Sequence, residues 1–282
     1  MKGYKNIKPN EIELKKLYGF LSAAVSPRPI ALVSSIDKDG RPNLSPFSFF
    51  NLFSIEPPIV IFSPVTRIED ATNKDTLHNV LEHPEVTINL VNKEIVEQVS
   101  LASSNFKRGI NEFEKSGLTP LKSELVLPNC VLESTVNLEC KVIEVKKLGN
   151  KGGSGNLVIC EVLMIRIKDE FMKGTHIDTL ALNSVSRLGG SWYGLTKEET
   201  LFKLPKPNGI GVGFDNLPNE ILTSKILSAA NLSQLASIDR IDNLKENTIV
   251  FKNIKDKHLA IKEYLNNNDL KGAWEIVIKK SL

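Results

Sequence analysis

Apolar and polar positions along the chain keep mostly to a two-residue rhythm. Residues 30–36, IALVSSI, form an apolar run of strand length. DKDG closes it, with Gly40 free to take positive φ. A second strand is expected over 43–53. Pro57-Pro58 separates it from a third, IVIFS (59–63), and VTINLV (86–91) supplies a fourth after Pro84. In VNLECKVIEV (136–145), Val136, Leu138, Cys140 and Val142 face one way, and Asn137, Glu139 and Lys141 the other. Ile143 breaks the alternation as a bulge would. GNKGGSG (149–155) then joins this strand to NLVICEVLMIRI (156–167) as a hairpin. The second arm is apolar on both faces, which suits a central strand or one under a subunit interface.

Helical spacing is rarer in the first two hundred residues. DTLHNVLEH (75–83) groups Leu77, Val80 and Leu81, and EIVEQVSLAS (94–103) groups Ile95, Val99 and Ala102. Many strands with isolated short helices predict an α+β, mainly β fold with a barrel-like antiparallel sheet. The Pro/Gly-rich connector KLPKPNGIGVGFDNLP (203–218) changes the character of the chain. Beyond it, NEILTSKILSAANLSQLAS groups Ile221, Leu222, Ile226 and Leu227, and DKHLAIKEYLNNN groups Leu259, Ile261 and Leu265. With LKGAWEIVIKK these make a helical extension. The predicted division is 1–204 and 205–282, the second part packed on the barrel or on a partner subunit.

Composition narrows the function classes. Lys and Arg number 36 against 33 Asp and Glu, with no concentrated basic block, so nucleic acid is not an expected partner. No apolar run approaches the ~20 residues of a membrane span, and the first twenty residues lack the apolar core of a secretory signal. Cys130, Cys140 and Cys160 are widely spaced and read as buried reduced thiols of a cytoplasmic protein. The four histidines have no metal-ligand spacing, so no metal site is expected.

Three stretches carry candidate chemistry. SPFSFFNLFS (45–54) sets Ser45, Ser48, Asn51 and Ser54 among phenylalanines. NKDTLHN (73–79) reads as a helix start capped by Asp75, where free N–H groups, Lys74 and the Thr76 hydroxyl would suit an anion; an ordinary capped surface helix reads the same way. SVSRLGGSWYG (184–194) combines Arg187, a glycine pair and Trp192-Tyr193, as a seat for a planar ligand or as a simple aromatic-anchored turn. His176 is a loop histidine that a substrate or a proton transfer would use, or merely an exposed one. No nucleophile elbow, acid/base set or dinucleotide fingerprint is present, which favours cofactor-borne chemistry.

Together SPRPIALVSS, GRPNLSPFSFFNLFSIEPP, KDTLHN, NEFEKSGL and RLGGSWY resemble the flavin reductase-like family, over roughly residues 10–200. The resemblance implies an antiparallel FMN-binding split β-barrel with short peripheral helices, here carrying the helical C-terminal extension. It implies a homodimer with FMN at the subunit interface. Arg28, Pro29, Ser45, Pro46, Phe47, Ser48 and Asn51 would lie along the flavin, Lys74, Asp75 and Thr76 at its phosphate, and Arg187 with Tyr193 at the closing motif. The implied reaction is hydride transfer from NADH or NADPH to flavin, then electron delivery to free flavin, a metal chelate or a protein. A flavoredoxin-type carrier without efficient NAD(P)H turnover, or a non-enzymatic flavin-binding module, are the other readings. No protein residue is assigned as catalytic beyond the candidates His176, Arg187 and Tyr193.

Overall fold

The computed structural model describes residues 3–204, 206, 209–239 and 249–279. The chain divides at Leu201–Phe202 into two compact units. In the first, α1 (Leu14–Ala24) leads into β1 (Arg28–Pro29), β2 (Ala31–Ile36), β3 (Pro42–Phe47), β4 (Phe50–Ile55) and β5 (Pro58–Phe62). After α2 (Asp75–Glu82) come β6 (Glu85–Leu90), α3 (Val96–Ala102), α4 (Glu112–Ser116), β7 (Pro120–Leu121) and β8 (Cys130–Val131). The long hairpin β9 (Val136–Lys147) and β10 (Asn156–Ile167) comes next, then the small pairs β11 (Met172–Lys173) with β12 (His176–Ile177), and β13 (Val185–Arg187) with β14 (Tyr193–Leu195).

Seven strands form one antiparallel sheet in the order β3-β2-β6-β9-β10-β5-β4. Its two edges, β3 and β4, are consecutive in the chain. The expected single strand over 43–53 is therefore two strands, broken at Ser48-Phe49. The break sends the chain to the opposite edge, where the Phe49 carbonyl accepts from the Ser63 N–H at 2.8 Å. A sheet whose edges are joined by two residues must roll up, and it does so as an α+β split barrel.

Alternation along β2 sorts the core. Ala31 and Val33 join Phe47, Phe62, Ile88, Cys140 and Cys160 in one cluster, sealed by Leu77 and Val80 of α2. Ile30 and Leu32 join Leu44, Val99 and Phe113 in the other, which α3 and α4 cover. Gly40 takes φ +79° in its turn, and the bulge expected at Ile143 is present: Ile159 pairs with Glu144 and Cys160 with Val142. β10 is central, between β9 and β5. Ile95, Val99 and Ala102 are all buried. Leu81 is not; the buried arc of α2 centres on Thr76, Leu77, Asn79 and Val80, which leaves Leu81 exposed.

The second unit has its own core. It comprises α5 (Asn219–Leu222), α6 (Ala229–Ala236), α7 (Ile254–Asn266) and α8 (Leu270–Val277). Ile221, Leu235, Ile261, Leu265 and Trp274 pack together, and the Trp274 indole donates to the Leu235 carbonyl at 2.9 Å. The helical stretch expected from residue 219 is interrupted at 223–228, because Ser228 caps a new helix, so Leu222 is exposed while Ile221 and Leu227 are buried. Leu259 also faces solvent. Residues 205, 207 and 208 of the connector, and Lys280 of the last apolar stretch, lie outside the described residues.

The helix α1 has no counterpart in the sequence expectations. It buries only Ser22 completely. It is held at its C-terminal end by Arg28, whose guanidinium donates to the Ser22 and Val25 carbonyls and to Leu188 O at 3.2 Å. Gly189 lets this turn approach: a Cβ there would stand 2.8 Å from the Ala23 Cβ. Because Arg28 is itself buried, Arg28→Ala is expected to cost about 2–4 kcal/mol in denaturant unfolding. It should also speed amide hydrogen exchange across residues 14–24 more than in β9 and β10; uniform exchange would assign the clamp to the sheet instead.

Candidate functional site

The break at Ser48-Phe49 positions a cleft of 530 Å³. Leu21 and Ser22 of α1, with Val25 just after it, form one wall, Arg28 and Pro29 another, and Ser48 to Asn51 with Phe53 a third. Phe53 is the extra residue of a bulge in β4, since Leu52 pairs with Val60 and Ser54 with Ile59. A bulge turns a side chain out of register, and here it turns the Phe53 ring to the cleft. Tyr18 of α1 lies 6.5 Å from the Phe49 ring, so helix and strand meet over aromatic surface.

Polar groups in this cleft are under-used. The Ser48 hydroxyl makes no hydrogen bond within the described chain. The Asn51 carbonyl oxygen accepts from Leu52 N at 2.8 Å, which leaves its Nδ2 donors free. The buried Arg28 Nε is also without a partner. A broad apolar seat with a few unsatisfied polar groups is the usual make-up of a site for a flat heteroaromatic ligand.

Beyond the cleft lies a small polar cavity lined by Asn43, Ser45, Arg67, Lys74, Asp75, Thr76 and Glu112. Two chain segments run between the spaces. One passes from Ser45 to Ser48 and the other from Ser63 and Val65 to Arg67. Three residues of strand reach about 10 Å.

Lys74, not Asp75, occupies the cap position of α2, and no side chain caps the helix. The Lys74 carbonyl already accepts from Leu77 N at 3.0 Å, and Asp75 sits inside the first turn. The leading N–H groups are thus left for another acceptor. Burial, with the Arg67 guanidinium beside it, pushes the Lys74 ammonium below its usual range. Lys74 forms no ion pair among the described residues. Arg67 ties its own loop down through Thr72 Oγ1 at 2.9 Å and Asn73 O at 2.6 Å. Gly152 brings the β9–β10 tip against that loop, where a Cβ would stand 2.7 Å from Ile68 O. Two adjacent cations without a carboxylate partner, beside an uncapped helix start, make an anion seat.

The structure brings together Arg28, Pro29, Ser48 and Asn51 in the cleft, and Ser45, Lys74, Asp75 and Thr76 in the cavity. It does not bring in Pro46 or Phe47. Phe47 faces the barrel core, its ring 5.3 Å from that of Phe62. Arg187 pairs with Arg28 across β1 and β13, but its guanidinium stacks 4.5 Å over Tyr193, which lines a separate groove with Val96 and Leu195. His176 lies exposed on β12, outside both spaces. The α1 wall, Arg67 and Glu112 escape the sequence reading. A basic residue opening the polar loop before KDT was the available signal for Arg67. Among the described residues no group of His, Cys, Asp and Glu is placed to hold a metal, and no helix is long and apolar enough to cross a membrane.

Comparison with known proteins agrees with the split-barrel fold. The flavin reductase like domain matches residues 23–181. The uncharacterized protein BH2278 of Halalkalibacterium halodurans is 38% identical over 203 residues, 71% of this chain and 96% of that one. The crystal structure of nitrilotriacetate monooxygenase component B from Bacillus cereus superposes with a TM-score of 0.68 at 28% identity, over 72% of this chain and all (100%) of that one. A flavin reductase with split barrel domain from Shewanella frigidimarina superposes at 0.60 with 26% identity, over 70% of this chain and 94% of that one. The rolled sheet, the anion seat and all of the cleft except its α1 wall fall within residues 23–181, and the chain belongs to the flavin reductase-like family of split-barrel proteins, whose business is flavin-linked oxidoreduction and electron transfer.

Proposed function

We propose that the protein is an FMN-dependent oxidoreductase that takes hydride from NADH or NADPH and passes electrons to an acceptor. One observation carries the reading: an apolar aromatic cleft and a cationic cavity are linked by two short chain segments, of which Ser45 to Ser48 reaches about 10 Å. A flat ring with a phosphate on a short polar tether matches that arrangement. Pro29, Phe49, Phe50 and Phe53 would seat the ring, and Ser48 with the Asn51 amide would meet its polar edge. Arg67, Lys74, Ser45 and the first N–H groups of α2 would hold the phosphate. FMN, when bound, supplies the hydride-accepting and electron-releasing chemistry. The chain's share is to bind and orient it, and α1 screens one side of the cleft from water.

The sheet edge beside the cleft favours a second copy of the chain as partner. β4 is a sheet edge, and its Leu52, Phe53 and Ile55 are 56%, 63% and 76% exposed. An apolar edge of this kind, left bare, invites aggregation. Ile55→Asp, outside the cleft lining, is expected to shift a dimer to monomer in light scattering at micromolar concentration. An unchanged mass would place the subunit contact elsewhere.

Titration with FMN should quench its fluorescence, and riboflavin should bind more weakly. Lys74→Ala and Arg67→Ala are each expected to weaken FMN binding about tenfold, the loss of roughly one charge-assisted contact, and to leave riboflavin nearly unchanged. Equal losses for both flavins would remove these residues from the phosphate role. Anaerobic stopped-flow mixing of FMN-loaded protein with NADH and with NADPH tests the donor. Bleaching within seconds supports the oxidoreductase; bleaching only by a reduced protein would make it a flavoredoxin-type carrier.

A further inference from the structure

The anion cavity contains an unexpected opponent, the Glu112 carboxylate. Glu112 is 6% exposed and lines the same space as Arg67 and Lys74. Its Oε2 accepts from Leu44 N at 3.0 Å and its Oε1 from Asn43 Nδ2 at 3.1 Å. An ionised carboxylate only accepts, so it fixes the Asn43 amide with the NH₂ group towards Glu112. The Asn43 carbonyl oxygen then faces Thr76, whose hydroxyl donates to it at 2.7 Å. Behind it Asn79 Nδ2 donates to Ser35 Oγ at 3.1 Å, and Ser35 Oγ stands 3.5 Å from Asn43 Oδ1.

We propose that Glu112 is a positioning residue that holds down the cavity's affinity for a phosphomonoester, so that FMN exchanges rather than staying bound. It acts by its own charge and, through Asn43, by committing the Thr76 hydroxyl proton away from the ligand. This rests on the reading of the cleft and cavity as an FMN site. Glu112 and Asp75 offset part of the charge of Arg67 and Lys74 before any anion arrives, so the cavity draws a phosphate less strongly than its two cations alone would. Burial already pushes the Glu112 carboxyl up, and Asp75 adds to it, although Leu44 N and Asn43 oppose the shift. An incoming anion adds to the cost of that charge.

The network has an inverted form that an amide at position 112 would select. Leu44 N–H cannot turn, so the new amide oxygen must face it and the new NH₂ must face Asn43. Asn43 then flips, its NH₂ donates to Thr76 Oγ1, and the Thr76 proton is released towards the ligand. Ser35 Oγ accepts from the flipped amide and gives up its own long, 3.5 Å donation to Asn43 Oδ1, which is the one hydrogen bond of this network that the inversion loses.

The test measures FMN and riboflavin dissociation constants, and the FMN release rate, for the full chain and for Glu112→Gln. FMN is expected to bind about tenfold tighter and to leave correspondingly more slowly, with riboflavin within about twofold. A merely structural Glu112 would give weaker binding of both flavins. Glu112→Asp keeps the charge and is expected to bind FMN no tighter than the parent. Should Glu112→Gln not fold, Thr76→Val decides: FMN affinity within about threefold agrees with a proton committed to Asn43, whereas a tenfold loss overturns the proposal. Unchanged or weakened FMN binding in a folded Glu112→Gln protein also overturns it. If the parent protein itself binds FMN no tighter than riboflavin, the phosphate reading fails and takes this proposal with it. A parental FMN preference that Glu112→Gln does not increase removes only the role of Glu112.

Discussion

Two residues, Ser48 and Phe49, join the opposite edges of a seven-stranded sheet. That short covalent link constrains the rest of the barrel. The sheet must curve until its edges approach, and β3 cannot continue in register as β4. Where the ladder stops, backbone and side chains are released from pairing, and the polar residues of the aromatic run become available. Ser45 ends up in the cavity and Ser48 and Asn51 in the cleft, while Phe47, on the same strand, stays in the core. A run that mixes serine with phenylalanine serves two environments within ten residues. Only a strand that leaves one edge and enters another can present both.

The β elements were legible because their signal is local. Alternation, turn glycines and a broken rhythm at Ile143 placed the hairpin and one of its two bulges, although the first arm runs two residues past the expected 145 and the irregularity near Leu163 had no such signal. The helix α1 carried Leu14, Leu17, Tyr18 and Leu21 at helical spacing. Its charged surroundings hid this, and the structure buries little of that face. Its position depends instead on Arg28, and Arg28 reaches Leu188, 160 residues away. No window of sequence shows such a contact. The cap of α2 was misread by one residue because aspartate is a common cap, whereas here it occupies the first turn and favours the helix dipole from there. The candidate site was legible as motifs and not as a shape. KDT and SPFSFFN indicated their residues, but Arg67 and Glu112 join the cavity only through folding.

Treatment of buried charge separates support from function in this chain. Glu139 has a fully buried side chain, and its carboxylate accepts from Glu124 N, Leu125 N and Arg166. It staples a loop to the sheet. Lys257 in the second unit is 2% exposed and is satisfied by Glu220 at 2.6 Å and by the Lys279 carbonyl at 2.6 Å. In both places the protein supplies the full complement of partners, as burial of an ion demands. Lys74 is treated differently. It is half-buried beside another cation, and no carboxylate comes within ion-pair distance. Holding two like charges together costs stability that a structural role does not require, which is why an unpaired cation in a small cavity indicates a ligand.

Glu112 completes that contrast. Its two oxygens are satisfied, as those of Glu139 are, yet it lines the cavity in which Lys74 and Arg67 stand. An anion site tuned for tight retention gains from every nearby donor and loses from every nearby carboxylate. This cavity instead sets a carboxylate against its two cations and commits the Thr76 hydroxyl proton to Asn43. The arrangement resolves if affinity is only one of its requirements. A protein that hands flavin or electrons onward must release as well as bind. In the role proposed for Glu112, the opposing charge lowers the depth of the bound state without disturbing the aromatic seat, which sits at the other end of two short chain segments. That role would assign recognition of the ring and release of the phosphate to separate ends of one site, each open to alteration by substitution without rebuilding the other.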